Sequence, residues 1–96
     1  MSEIKREGND HKGKFVLYEG DEEAGFITYE KKDDNKIATD ETRVYDKFEG
    51  KGLAKKLVMK AVDYARENNL KIIPVCPYVE HRFERDEGIK DVLAEE

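Results

Sequence analysis

Apolar and polar positions change period twice along the chain. From the start to about residue 45, short β-branched and aromatic runs are separated by polar turn residues. Lys14–Glu19 (Lys-Phe-Val-Leu-Tyr-Glu), Ala24–Glu30 and Lys36–Tyr45 read as strands. Glu3–Gly8 reads as a short edge strand. The breaks at Asn9–Gly13, Gly20–Glu23 and Lys31–Asn35 are turn-like and short, which predicts an antiparallel meander. Asp40, Glu41 and Thr42 are poor residues for the centre of a buried strand. They predict a bulge, or a strand with one face open to a site. The period then lengthens. Leu53, Ala54, Leu57, Val58, Ala61, Tyr64 and Ala65 make one apolar stripe of a helix from about Lys51 to Asn68. Asn68-Asn69 suits its stop, because asparagine tolerates the left-handed conformation. Leu70–Cys76 is again a short apolar run. Strand, helix and strand in direct succession predict a parallel pair with a right-handed crossover. Pro74 would leave one ladder position open, as at an edge or where a sheet splays. Pro77 opens a short helix over 78–85, Gly88 ends it, and 89–93 adds one turn. The fold class is therefore α+β, with a mixed sheet: about four meander strands, one long helix, one parallel strand and short C-terminal helices.

Length and charge narrow this picture. With 96 residues the chain is expected to be one domain over 1–96. The sequence is 43% charged, but both signs are interspersed, as on a solvated globular surface. The net charge of −5 argues against a general nucleic-acid binder. Cys76 is the sole cysteine, so no internal disulfide forms. No signal peptide or membrane span is evident, which predicts a cytoplasmic protein without a membrane partner. A monomer or weak dimer is expected.

The candidate chemistry gathers where the strands give way to the helices. Gly50-Lys51-Gly52 sits between a strand and the long helix. The N–H groups from about Glu49 through Gly50, Lys51, Gly52, Leu53 and Ala54 would be free at the helix start, where the dipole favours an anion. Glycine lets the backbone approach a phosphate, and Lys47, Lys51, Lys55 and Lys56 add positive charge. From spacing alone, an ordinary strand-to-helix turn fits equally well. Cys76 precedes Pro77 and a helix start, which favours a nucleophilic thiolate; a small buried hydrophobe is the competing reading. Glu41 is either a general base acting through water or an exposed strand carboxylate. Tyr78 reads first as an aromatic packed on the sheet. Arg82 and Arg85 either reach a phosphate or cover a helix face. His11 and His81 have no partner at metal-ligand spacing, so no metal is expected.

The order of elements and several motifs together resemble the GNAT superfamily of acetyltransferases. Its acyl-CoA signature, Gln/Arg-x-x-Gly-x-Gly/Ala, is matched by Lys47-Phe48-Glu49-Gly50-Lys51-Gly52, with lysine at the first position. The small single-domain branch is similar at Thr42-Arg43-Val44, at Gly50–Val58, at Tyr64-Ala65-Arg66 and at Pro74-Val75-Cys76-Pro77-Tyr78-Val79. Glu41 stands where that branch usually carries His, and Asp86-Glu87-Gly88-Ile89 replaces its His-Pro-Glu-Tyr run. The resemblance spans roughly residues 13–93 and implies a minimal GNAT fold. It implies an acetyl-CoA-dependent N-acetyltransferase acting by direct attack of an unknown amine, a small molecule or a protein. The pyrophosphate of the donor would meet residues 49–54 and Lys55. Its pantetheine would run along Thr42, Arg43, Val44 and Tyr45. Cys76, Tyr78 and Glu41 become the catalytic candidates: an acyl acceptor or part of the acceptor site, a proton donor to the leaving thiolate, and a base. An acyl-CoA-binding or protein-interaction module without significant catalysis is the alternative.

Overall fold

The structure is a computed structural model, and it describes residues 2–9 and 11–94. Asp10, inside the turn expected over Asn9–Gly13, lies outside the described residues, as do Met1, Glu95 and Glu96. Four antiparallel strands run β1 (Ser2–Gly8), β2 (Lys12–Glu19), β3 (Glu22–Asp33) and β4 (Lys36–Val44). After β4 come a 3-10 turn over Asp46–Phe48 and the long helix α1 (Leu53–Glu67). Then follow β5 (Lys71–Pro74), α2 (Pro77–Arg85) and a 3-10 stretch over Glu87–Val92. The strands lie in sequence order, β1-β2-β3-β4-β5, and β4 pairs with β5 in parallel through the α1 crossover. The meander and the parallel pair stand as the residue pattern predicts.

Alternation along the strands decides which face is buried. Phe15, Leu17, Ile27, Tyr29 and Ile37 point to one face, and there they meet Leu57, Val58, Ala61, Val62 and Ala65 of α1 in the core. The opposite face carries Lys5, Lys14, Tyr18, Phe26 and Arg43. Lysine lies over aromatic rings there, Lys5 over Tyr18 and Lys14 over Phe26. Their aliphatic stems shelter apolar surface, and Val16 is buried among them.

Some boundaries differ from the sequence expectation. β3 runs to Asp33, so the charged loop shrinks to Asp34-Asn35, held by the Asn35 N–H donating to Asp33 Oδ1. The helix begins at Leu53, not Lys51, because the chain first spends two left-handed glycines. β5 ends at Pro74 instead of Cys76. Proline supplies no N–H, and Val75 turns back to donate to the Ile73 carbonyl. Nor is β5 a bare edge: Ile72 bridges to Leu93, and the Ala94 N–H donates to the Ile72 carbonyl. Asn69 takes the left-handed conformation (φ 57°) after α1, as asparagine was expected to permit.

Candidate functional site

The site grows from a defect in the sheet. Thr28 of β3 pairs with Glu41, but the next residue, Tyr29, pairs with Thr39, so Asp40 is the extra residue of a β-bulge. The polar run Asp40-Glu41-Thr42 thus marks a bulge, and the strand bends there. On the other side of β4, pairing to β5 stops at Thr39–Pro74. One further bond follows, from the Cys76 N–H to the Thr39 carbonyl at 2.9 Å. Beyond it β4 and β5 part, and the β5-facing edge of Thr42–Val44 lies along the opening.

The chain then builds the opposite wall. The Tyr45 N–H donates to the Ala24 carbonyl, and Phe48 closes the 3-10 turn onto Tyr45 while burying its ring in the core. Gly50 (φ 85°) and Gly52 (φ 73°) both adopt left-handed backbone that other residues rarely take, and the space where a Cβ would stand is open at each. Gly52 is the residue before α1 and caps nothing with a side chain. The first helical bond runs from the Lys56 N–H to the Gly52 carbonyl. The N–H groups of Leu53, Ala54 and Lys55 have no protein acceptor among the described residues. The first turn of α1 contains no acidic residue. The positive end of the helix dipole is therefore uncompensated from within the helix.

Between these walls lies a cleft of about 510 Å³. Thr42, Arg43 and Val44 line one side, and Glu49, Gly50, Gly52, Leu53, Ala54 and Lys55 the other. Tyr78, at the start of α2, reaches into it, and Asp46 and Phe48 complete the lining. Asp46 and Glu49 bring negative charge to the rim, so backbone N–H groups and the dipole, more than net charge, make the loop fit for an anion. Lys47 is held by Glu22 at 2.8 Å, and Lys51 lies over the Phe48 ring. Of the four loop lysines, Lys55 lines the cleft.

The remaining sequence candidates fall in different places. Tyr45 and Lys51 are not part of the lining. The Tyr45 hydroxyl donates to Glu23 Oε2 at 2.6 Å, and this hydrogen bond raises the phenol above its ordinary range. Cys76 is buried, only 6% exposed, at the N-cap of α2, and its thiol donates to the Thr42 hydroxyl at 3.5 Å. Thr42 pairs with Ile27 and so shares the α1 face; Glu41 pairs with Thr28 and faces the other way, exposed. Cys76, Thr42 and Tyr78 are thus grouped at the cleft, and Glu41 stands on the opposite side of the same strand. Arg82 sits on the last turn of α2 beside Asp86 at 3.7 Å. One residue that shapes the cleft went unnoticed in the sequence. A Cβ on Gly25 would come 2.4 Å from the Arg43 carbonyl oxygen and 3.1 Å from Val44 Cα. Its signal was a glycine inside a strand run, which marks close backbone approach.

A family model described as GCN5-related N-acetyl-transferase matches residues 14–92. A GCN5-like protein of Staphylococcus aureus, solved by NMR, is 38% identical; the match covers 98% of this chain and 89% of that one, with a TM-score of 0.75. A GNAT family acetyltransferase from Elizabethkingia anophelis, with acetyl-CoA bound, shares 10% identity over 91% of this chain and 74% of its own, with a TM-score of 0.72. A Bacillus subtilis acetyltransferase in complex with CoA shares 17% identity over 88% and 72%, with a TM-score of 0.67. No curated protein matches the chain in sequence.

Proposed function

Because the chain belongs to the GCN5-related N-acetyltransferase family, we propose that it binds acetyl-CoA in the cleft between β4 and the α1 loop and transfers the acetyl group to an amine. The observation that carries this reading is the pairing of two features in one cleft. The parted edge of Thr42–Val44 offers backbone partners to an extended amide chain, and the helix start behind the left-handed Gly50 and Gly52 offers the unpaired N–H groups of Leu53, Ala54 and Lys55 to a diphosphate. The chain residues fit the donor at both ends, and the acetyl-CoA and CoA complexes of the two related folds agree with it.

Each group then has a task. Leu53, Ala54 and Lys55 receive the phosphates at the helix start. The β4 edge, from Thr42 to Val44, aligns the arm that carries the thioester. In the transfer the amine nitrogen bonds to the acyl carbon, the carbon–sulfur bond breaks, and the sulfur takes a proton. Tyr78 is the hydroxyl in the cleft that can give that proton. Glu41, on the far face of β4 at the same parting, is the carboxylate that can take the amine proton through water. Holding donor and amine at one gap supplies much of the rate.

The test is an amide-resolved NMR titration with acetyl-CoA, paired with turnover on a panel of amines. Shifts concentrated at residues 42–45 and 49–55 and at Tyr78 are expected. Gly52→Glu should weaken binding by about 100-fold or more, since it puts a side chain and a carboxylate where the diphosphate would meet the N–H groups and strains a left-handed position. Gly20→Glu is the control: Gly20 has the same left-handed strain (φ 64°) in the β2–β3 turn. Equal losses in both variants would sink the loop assignment. Binding without turnover on any amine would leave a CoA-binding module in place of an enzyme.

A further inference from the structure

The edge of the sheet remote from the cleft is β1, and among the described residues nothing pairs with its outer side. The strand is seven residues long, regular in its pairing to β2, and free of proline. Such an edge presents alternate N–H and C=O groups outward and is a template for another strand. Its charge pattern selects which strand.

We infer that β1 pairs antiparallel with β1 of a second copy of this chain, about a two-fold axis through Ile4. Paired residues in an antiparallel ladder share a face, so in a symmetric pairing the axis must pass through a residue. Through Lys5, Lys5 meets itself and Glu3 meets Glu7. Through Arg6, two guanidinium groups meet. Through Ile4, Ile4 meets Ile4, Ser2 meets Arg6, and Glu3 meets Lys5 twice, once on each side of the axis. Of these three central registers, this one alone has no like-charge pair. Glu3 and Lys5 have no ion partner within their own chain among the described residues. Ile4 already packs against the core, so an Ile4–Ile4 contact carries that core across the axis. Arg6 is held by Tyr29, to whose hydroxyl its Nε donates, and it stacks over Tyr64, which fixes β1 against the body of the molecule.

The main backbone contacts of α1 are with β2 to β5, and α1 reaches β1 through side chains, Lys56 donating to the Ser2 hydroxyl and Tyr64 lying under Arg6. The product is a ten-stranded sheet, with each β4–β5 cleft at an outer end. Five paired residues on each side make a small interface, so the dimer is weak and reversible.

Sedimentation equilibrium from about 10 µM to 1 mM reads this directly, a range chosen for an interface of this size. A monomer–dimer equilibrium is expected, with the outward amides of β1 exchanging more slowly at high concentration. Lys5→Glu turns two attractions into two repulsions and should raise Kd about tenfold or more. Glu3→Lys combined with Lys5→Glu exchanges the signs and should restore Kd to within about threefold of the parent. A monomer throughout the range overturns the inference, as does a reversal without effect or an exchange that fails to restore. Exchange rates of the unaltered protein that do not depend on concentration overturn it even if a variant misfolds. None of these outcomes bears on acetyl-CoA binding, which the cleft titration tests separately.

Discussion

Cys76 shows how much a single residue's setting decides. A cysteine before a helix start invites a nucleophilic reading, yet this one is in the core, capping α2 and touching the Thr42 hydroxyl. Burial at that point favours a packing role: the thiol closes the inner end of the parting between β4 and β5. A group that must itself accept acyl carbon needs an approach path, and 6% exposure leaves little of one. Cys76→Ser is therefore expected to cost roughly 1–2 kcal/mol of stability, as a buried small hydrophobe gives way to a more polar group. Turnover should stay within a few-fold of the parent. Intact-mass measurement after incubation with acetyl-CoA should show no adduct on the unaltered protein. A stoichiometric acetyl adduct at Cys76 would overturn this and make the thiol an acceptor.

At the scale of elements, the cleft exists because two strands depart from ideal pairing for different reasons. β5 stops because Pro74 has no N–H to continue the ladder. β4 bends because Asp40 is bulged out, and the extra residue turns Glu41 outward and sets Thr42 on the α1 face. Both causes were readable: a proline in an apolar run, and three polar residues in a strand. The 3-10 turn over Asp46–Phe48 was not, because three residues carry no periodicity and Phe48 gives no hint of where its ring is buried. Gly25 ties β3 to this region. Its missing side chain lets the Arg43 carbonyl and Val44 approach, so Gly25→Ala must push away the part of β4 that lines the cleft. Overpacking of this kind costs about 1–3 kcal/mol, and the displaced strand should also lose donor affinity. Unfolding and acetyl-CoA titration of the variant should therefore fall together. A variant as stable as the parent, with unaltered affinity, would show that the contact relaxes freely.

For the whole molecule, the question is how a chain this short holds its C-terminal segment against the core. Periodicity made α1 and the meander legible; the anchoring of residues 87–94 was less so, because it depends on side chains distant in sequence. Ile89 and Val92 bury their side chains, and Arg66 on α1 grips the segment from outside. The guanidinium donates to both Asp91 oxygens, at 2.9 and 2.8 Å, and to the Gly88 carbonyl. Lys71 donates to the Asp91 carbonyl. The Arg66 hydrogen bonds hold the Asp91 carboxyl below its usual range. A carboxyl depressed in the folded state adds stability above its unfolded value, near 3.8, and that stability is lost as pH falls through the folded value. The pair is exposed, so its worth is small. Asp91→Asn should lower Tm at pH 7 by no more than about 4–8 °C. The difference from the parent should hold steady from neutrality to about pH 5 and shrink towards zero below pH 3, where both proteins carry an uncharged group. Thermal unfolding followed at each pH measures this. If the gap persists undiminished at pH 2, the contribution of Asp91 is packing or backbone geometry, and the ion pair is not what secures the segment.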